Sequence, residues 1–509
     1  MRPVSAPSET APRPGWVRGL VGAVVLFVVA GAYWPVAIDD AYISAAYAYE
    51  LLERGELAWP GAERLEGYSN FLWVLMMALA ARLGADVILV AKLVSLVSGL
   101  ALAGVVAKAA PTTGRGDLVV AAVVMWMPLA YWSAMALETA TYTLVVVAGW
   151  LLVVEGRAYG LLPLLLATLL RVDGALWWLA GAGAVLAVRR QRAAPWIAAT
   201  GAAVLAYHLW RVTYFDAWLP AAVHLKAGLG WFAAVQLVEE AIVASSLLAV
   251  AALFRLPRGA WRSLVPAVLC VGLLVAMNGD WMARGRVLLP GLVAMVVVRA
   301  RLGEPRELTG RAMSLVVALV IVASSFEPRF LERPRLRAFV PRYTARLELP
   351  LLPPVTYAVE HVPEDGTLAS ADVGLLGHVA AMTVVDTRGL VSPRFLSARR
   401  TGDWSAVEAW WTSPEGPDVV EVSRYQPTDF LETPLEPYAG LDPWLRPVGH
   451  VLDRYPIHDD VLYDEGTWRG AVRFHHRVEP AVPESVVARR WRGLAERFPA
   501  HRLSDGRRR

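Results

Sequence analysis

The strongest constraint on this chain is a succession of long apolar runs separated by short basic stretches. The runs begin at Trp16–Val36 and recur to about residue 326. Hydrophobic residues make up 56% of the 509 and charged residues only 18%, whereas a soluble domain carries roughly 25% charge. With a mean hydropathy of +0.44, the chain reads as a polytopic α-helical membrane protein. Its 21 tryptophans suit long membrane–water interfaces. The net charge is only +4, and the basic residues cluster in loops between apolar runs. That is a pattern of topology, with no nucleic-acid partner implied. Cys270 is the sole cysteine and lies inside an apolar run, so neither intramolecular disulfides nor multi-thiolate metal sites can form.

Residues 1–15, rich in Pro, Ser and Ala, read as a disordered cytoplasmic tail. Ala30-Gly31-Ala32 has the small-x-small form of a cleavage site. The run continues to Val36, however, giving the roughly 20 residues a spanning helix needs, so an uncleaved anchor is expected. Arg2, Arg13 and Arg18 precede or open this span, which puts the N-terminus inside and Asp39-Asp40 outside. Carboxylates beside hydrocarbon are costly and mark a candidate site.

The first outer loop, 37–85, carries Ile43, Tyr47 and Leu51 at helical spacing, with Glu50, Glu53 and Arg54 elsewhere. This predicts an amphipathic helix on the membrane, capped by Gly55. Ser69-Asn70 can cap a second helix running to Leu83, roughly 12 to 14 residues long and hence interfacial. Treating it so keeps the basic loops at 108–115, 189–192, 255–262 and 299–311 inside. The spans then fall near 17–36, 86–107, 118–133, 138–155, 158–171, 174–188, 195–213, 231–254, 263–278, 286–300 and 311–326. Eleven is odd, so residues 327–509 lie outside. There the prolines and charges multiply, and Thr367–Ser370 and Met382–Asp386 read as strands, Val486–Phe498 as a helix. A mixed α/β extracytoplasmic domain is expected, following a membrane domain at 16–326.

With this topology five outer turns share one side. They carry Asp39, Asp40, Glu66 and Tyr68; Glu138 in Ser133–Thr139; Arg171 and Asp173; His224 and Lys226 after Tyr214–Pro220; and Asp280, Trp281, Arg284 and Arg286. Such a cavity suits transfer from an anionic lipid carrier. A carboxylate can act as general base on an acceptor hydroxyl, while Lys226, Arg284 and Arg286 can hold a lipid-linked phosphate. Plainer roles stand beside these: Asp39 and Asp40 as solvated loop residues, Glu138 as a helix-start carboxylate, Arg171 and Asp173 as a structural pair, Arg284 and Arg286 as snorkelling cations. HExxH and CxxC patterns are absent, although an acidic cluster would suit Mg or Mn.

The segments IDDAYIS, YAYELLERGELAW and GAERLEGYSNFLW resemble the opening of bacterial GT-C superfamily glycosyltransferases, which use polyprenyl-phosphate sugars. The resemblance is nearest to the branch of mycobacterial-type terminal cell-wall arabinofuranosyltransferases. It continues in order through MALET at Met135–Thr139, LLRVDGAL at Leu169–Leu176, YFDAWLPAAVHLK at Tyr214–Lys226 and NGDWMARGRVLLP at Asn278–Pro290. ADVGLLGH and VVDTRGLVSP follow in the outer domain. Ala221 after Pro220, and Val172 between Arg171 and Asp173, depart from the family pattern and bear on the donor sugar.

The resemblance implies a GT-C-like fold and an inverting, polyprenyl-phosphate-sugar-dependent transfer to an extracytoplasmic glycan or glycolipid, in a bacterial inner membrane. It implies Asp39 or Asp40 as base. Arg284, Arg286, Lys226, His224 and Arg171 would hold the donor phosphate, and Glu66, Tyr68, Glu138, Asp173, Asp280 and Trp281 the sugar and acceptor. On a continuous helix the two aspartates point about 100° apart; Asp40, farther from the span, is the expected base. Other classes compatible with the chain are a lipid-linked-sugar flippase, which would want charges at mid-span, and a non-catalytic glycan-binding membrane protein.

Overall fold

The computed structural model describes residues 14–34, 37–62, 64–226, 240–241, 244–277, 282, 285–307, 316, 352–363, 366–371, 373–379, 382–427, 457–464 and 468–476. Nearly all of the expected 311–326 span, much of the 231–254 span, the boundary at 327, the tail before residue 14 and the helix Val486–Phe498 lie outside them.

Most of the described chain is helical. Helix α1 is Gly15–Gly31, α2 Asp39–Glu53, α3 Phe71–Arg82, α4 Val87–Ala109, α5 Gly114–Val124, α6 Met127–Trp132, α7 Thr139–Val154, α8 Leu161–Leu170 and α9 Gly174–Phe215. Further helices cover Trp261–Ala276 and Leu289–Leu302. By length and composition, α4 alone among the described residues is apolar enough to cross a membrane; several others are apolar but of 10 to 17 residues. The expected 118–133 run is broken in two. Its helix stops at Val124, and α6 restarts after Trp126 with Pro128 in its first turn, where the missing N–H costs nothing.

Helix α9 is assigned without a break over 42 residues, yet it cannot be straight. Trp178 Nε1 donates to Thr200 Oγ1 at 2.9 Å, whereas a rise of 1.5 Å per residue would separate those positions by about 33 Å. The run therefore reverses between them, and Trp178 also lies against Gly201. Pro195 falls within the reversal. The two runs read from the sequence at 174–188 and 195–213 thus form an antiparallel pair.

Several large side chains close the helical core. Trp16 and Trp218 are largely exposed, whereas Trp59, Trp73, Trp126, Trp132, Trp150 and Trp177 are all fully buried. Their indole N–H groups help explain why: Trp59, Trp73 and Trp150 donate to the carbonyls of Val384, Ala136 and Arg262. A buried ring with its one donor satisfied fills volume and ties distant segments together. Outside this core, Leu20, Val28, Val97 and Val268 on three helices remain largely exposed.

The later segment forms a mixed five-stranded sheet in the order β2-β1-β3-β5-β4. Strands β1 (Thr367–Ser370) and β2 (Thr383–Asp386) are parallel, as are β1 and β3 (Val419–Pro427). Strands β4 (Ile457–Asp464) and β5 (Trp468–His476) add antiparallel pairs. The α/β character expected of this region holds, and β1 begins and ends where the sequence placed it.

One expectation needs correcting. Helix α2 does not present a polar face: from Ala41 to Glu50 every residue but Tyr49 is buried, including Tyr42, Ser44 and Tyr47. The six-residue helix Gly374–Val379 covers it on one side and α3 on another. The exposed polar part is confined to its end, at Glu53, Arg54 and Gly55. Gly55 has φ +72°, the left-handed geometry that closes a helix.

Contact between the sheet domain and the first loop is close at Gly67. A Cβ there would strike Val391, the Leu390 carbonyl and the Tyr47 hydroxyl. Gly67→Ala is expected to cost about 1–3 kcal/mol through overpacking and to speed protease clipping of the 352–476 segment. Clipping at the wild-type rate would show that this contact does not hold the two parts together.

Candidate functional site

Asp39 and Asp40 open α2, both half-buried. Asp39 Oδ2 accepts from the Gly374 amide at 2.9 Å and Oδ1 from the Leu375 amide at 2.8 Å. It therefore sits on the positive first turn of the Gly374–Val379 helix, with charge-assisted bonds to both oxygens. Only glycine fits at 374, since a Cβ would collide with the Asp39 carbonyl. His378, on the same short helix, is buried between the rings of Tyr42 and Tyr49 on α2, at 5.6 and 5.4 Å.

Beneath the pair runs a line of buried polar side chains. Ser44 Oγ contacts both the Asp40 carbonyl and the Asn70 side chain. Asn70 Nδ2 donates to Glu138 Oε2 at 2.9 Å. Glu138 stands 3.6 Å from Arg171 Nη1, and Arg171 Nε donates to Asp173 Oδ1 at 2.8 Å. Tyr142 closes the line, donating to Asp173 Oδ2 at 2.9 Å, while the Arg171 guanidinium stacks 5.0 Å from its ring. Asn70 occupies the N-cap position of α3 as expected, but makes no capping bond, because its side chain is committed to this line.

Local geometry explains how residues so far apart in sequence meet. The turn Ser133–Glu138 carries Ala136 at φ +60°, a left-handed conformation that costs a non-glycine residue of order 1–2 kcal/mol. The turn is held by three neighbours: Trp73 Nε1 donates to the Ala136 carbonyl, Ser95 Oγ to that of Leu137, and the Ile38 amide to that of Met135. Ile38 directly precedes the aspartates, so the same turn sets both Glu138 and the start of α2.

Burial pushes the Asp173 carboxyl up, but Arg171 and the Tyr142 hydroxyl outweigh it, and Asp173 is held below the usual carboxylate range. Arg286 adds to this effect; it is buried, 5.9 Å from the Trp132 ring, with Nη1 on the Met282 sulfur at 3.4 Å. Arg171 and Asp173 do form the structural pair that the sequence admitted, yet Glu138 joins them, so one guanidinium stands between two carboxylates.

The remaining expected residues are placed apart from this line. Glu66 is paired with Arg211, whose Nε donates to both of its oxygens at 2.7 and 2.8 Å. Each side chain is only 2% exposed, and Arg211 also reaches the Trp218 carbonyl. Tyr68 is buried edge-on to Tyr47 and Phe215, and its hydroxyl has no partner among the described residues. His224 is half-buried on the short helix Ala221–Lys226; burial, then the charge of Arg400, lowers its pKa. Lys226 ends that helix. Asp280, Trp281 and Arg284 lie outside the described residues.

Ser44, Tyr142, Arg211 and His378 were not singled out from the sequence, and Asn70 was read there only as a helix cap. Arg211 had a legible signal, a charge inside an apolar run. Ser44 and Asn70 had none, being ordinary loop and helix residues until folding joins them. No group of three or more His, Cys, Asp or Glu among the described residues is placed to hold a metal ion.

Comparison with known proteins yields no relative: no family model, no curated protein and no solved structure matches the chain.

Burial raises the Glu66 carboxyl from 4.5 to about 7, with Arg211 opposing the rise. The folded protein then binds this proton more tightly than the unfolded chain. Its contribution favours folding fully below pH 4.5 and is lost as the pH climbs to about 7. Glu66→Gln, neutral throughout, is expected to flatten the fall in unfolding midpoint between pH 4.5 and 7. Parallel loss of stability in variant and wild type would show that Glu66 does not titrate in that window.

Proposed function

We propose that the chain is a polytopic membrane glycosyltransferase of GT-C type, with about eleven spans, in a bacterial inner membrane. It would carry its N-terminus in the cytoplasm and its site and sheet domain outside. The exposed apolar faces of α1, α4 and Trp261–Ala276 support a lipid surround, because so much aliphatic surface is unfavourable in water. The reversal within α9 supports more than one crossing.

The donor is a polyprenyl-phosphate sugar, arabinofuranose by resemblance, and the acceptor an extracytoplasmic glycan or glycolipid. The observation that carries this reading is the hold on Asp39. Two backbone amides bind it, which fixes the start of α2 and with it the place of Asp40, the general base of this reading. Asp40 takes the proton from an acceptor hydroxyl as its oxygen attacks the anomeric carbon. The bond from that carbon to the phosphate oxygen breaks with inversion, and polyprenyl phosphate leaves with the electron pair. Arg286, Arg284 and Lys226 stabilise the departing phosphate. Arg171, held between Glu138 and Asp173, orients rather than neutralises, and Glu138 and Asp173 fix the sugar side of the pocket. Glu66 and Tyr68 shape its wall. The outer domain contributes by holding α2.

Asp40→Asn is expected to lower transfer by roughly 10²–10⁴-fold, measured as product formed by purified protein from a panel of polyprenyl-phosphate sugars and membrane glycans. Asp39→Asn, which keeps one oxygen to accept from Gly374 or Leu375 and turns an NH2 donor to the other amide, should lose less. Wild-type turnover by Asp40→Asn would remove Asp40 as the base, and no product from any donor would remove the transferase reading.

A further inference from the structure

At the far end of α1 from the aspartates, about 25 Å away along 17 helical residues, lies a groove of about 840 Å³. Its charged lining residues are Arg18, Lys108 and Arg301, and no carboxylate lines it. Thr112 and Thr113 add hydroxyls, and Gly104 leaves part of the wall open, since a Cβ there would meet nothing within 4 Å.

The electrostatics of the groove are set by two helix ends. The C-terminal end of α4 would repel an anion, but Arg18 occupies it: its Nη atoms donate to the carbonyls of Ala107, Ala110 and Pro111. The positive end of α5 starts at the same place. Thr113 is its N-cap and makes no side-chain capping bond; its carbonyl takes the Gly116 and Asp117 amides. Arg18 is 6% exposed, and its Nε has no partner among the described residues. Lys108 is exposed with no ion pair or hydrogen bond among them. Asp117 pairs with Arg18 at 3.8 Å and Glu155 with Arg301 at 3.0 Å, and neither is among the residues that line the groove.

From the groove an apolar track leads away. Trp16, Leu20, Val24 and Val28 follow one another at four-residue spacing along α1 and are 72, 59, 54 and 67% exposed. A ligand that satisfies both parts has a phosphate head and a long acyl tail.

We propose that this groove binds the phosphate of an anionic phospholipid in the membrane leaflet opposite the aspartate site, with one acyl chain lying along α1. The inference needs the membrane reading above but not the glycosyl-transfer reading. The phosphate contacts Lys108, Arg301 and the Thr112 and Thr113 hydroxyls, while Arg18 holds the groove's floor and cancels the α4 carbonyls. Free phosphate would use the same cations, but would ignore the track on α1.

The test is native mass spectrometry of the full chain released from vesicles of mixed phosphatidylglycerol and phosphatidylcholine. Wild type is expected to retain phosphatidylglycerol in preference. Lys108→Gln with Arg301→Gln should weaken that retention roughly tenfold or more, since each cation near a lipid surface is worth about a factor of five. Gly104→Leu, which fills the groove and keeps every cation, should do the same. Arg64→Gln, an exposed cation of the first loop, should change nothing. Equal retention by wild type and both groove variants would overturn the proposal, as would complete displacement of the lipid by millimolar inorganic phosphate. Recovery of the chain in the membrane fraction separates these outcomes from failure of the membrane reading: a membrane-bound chain with no lipid preference sinks the groove alone.

Discussion

The two hydrogen bonds from the Gly374 and Leu375 amides to Asp39 join segments 335 and 336 residues apart, and much of the site depends on them. A carboxylate at the first turn of a helix neutralises the dipole and satisfies two N–H groups that the helix cannot. Here the carboxylate belongs to another helix, so the bonds also fix where α2 begins. Once α2 is set, Ser44 meets Asn70, and His378 is clasped between Tyr42 and Tyr49. Trp59, reaching Val384 in β2, braces the same contact from the far end of the loop. The outer sheet is thus a structural partner of the first loop.

A second constraint is charge balance below the aspartates. Glu138, Arg171 and Asp173 are largely removed from water, where an uncompensated charge costs several kcal/mol. The arrangement is stable because the guanidinium faces both carboxylates and each carboxylate has a further donor, Asn70 or Tyr142. Such a line is stiff. Glu66 and Arg211 form a separate buried pair with the same logic, tying the loop at Leu65–Tyr68 to α9.

Much of this was legible in the residues. Strand β1, the short α3, the cap at Gly55 and the pairing of Arg171 with Asp173 were all readable, because each rests on interactions within a few positions. The broken 118–133 run follows from Pro128, a local signal as well. The amphipathic reading of α2 failed for a different reason. Its spacing of Ile43, Tyr47 and Leu51 was real, but a covering layer from residues beyond 370 buries the opposite face too. Periodicity reports one partner surface and is silent about a second. Composition is likewise silent about which tryptophans close the core: Trp59, Trp73 and Trp150 do so through carbonyls of distant segments.

By itself the sequence determined the alternation of apolar helices and basic turns, the α/β character of the later segment and the set of ionisable residues available at one end. Those are consequences of local pattern and of the cost of charge in apolar surroundings. Only the tertiary structure tied Asp39 to the amides of Gly374 and Leu375. It also joined Asn70 to Glu138, gave Glu66 to Arg211 and left a cationic groove at the other end of α1. The reason is physical: each of these is a contact between segments distant in the chain, and local spacing carries no information about which buried polar group a distant partner will satisfy.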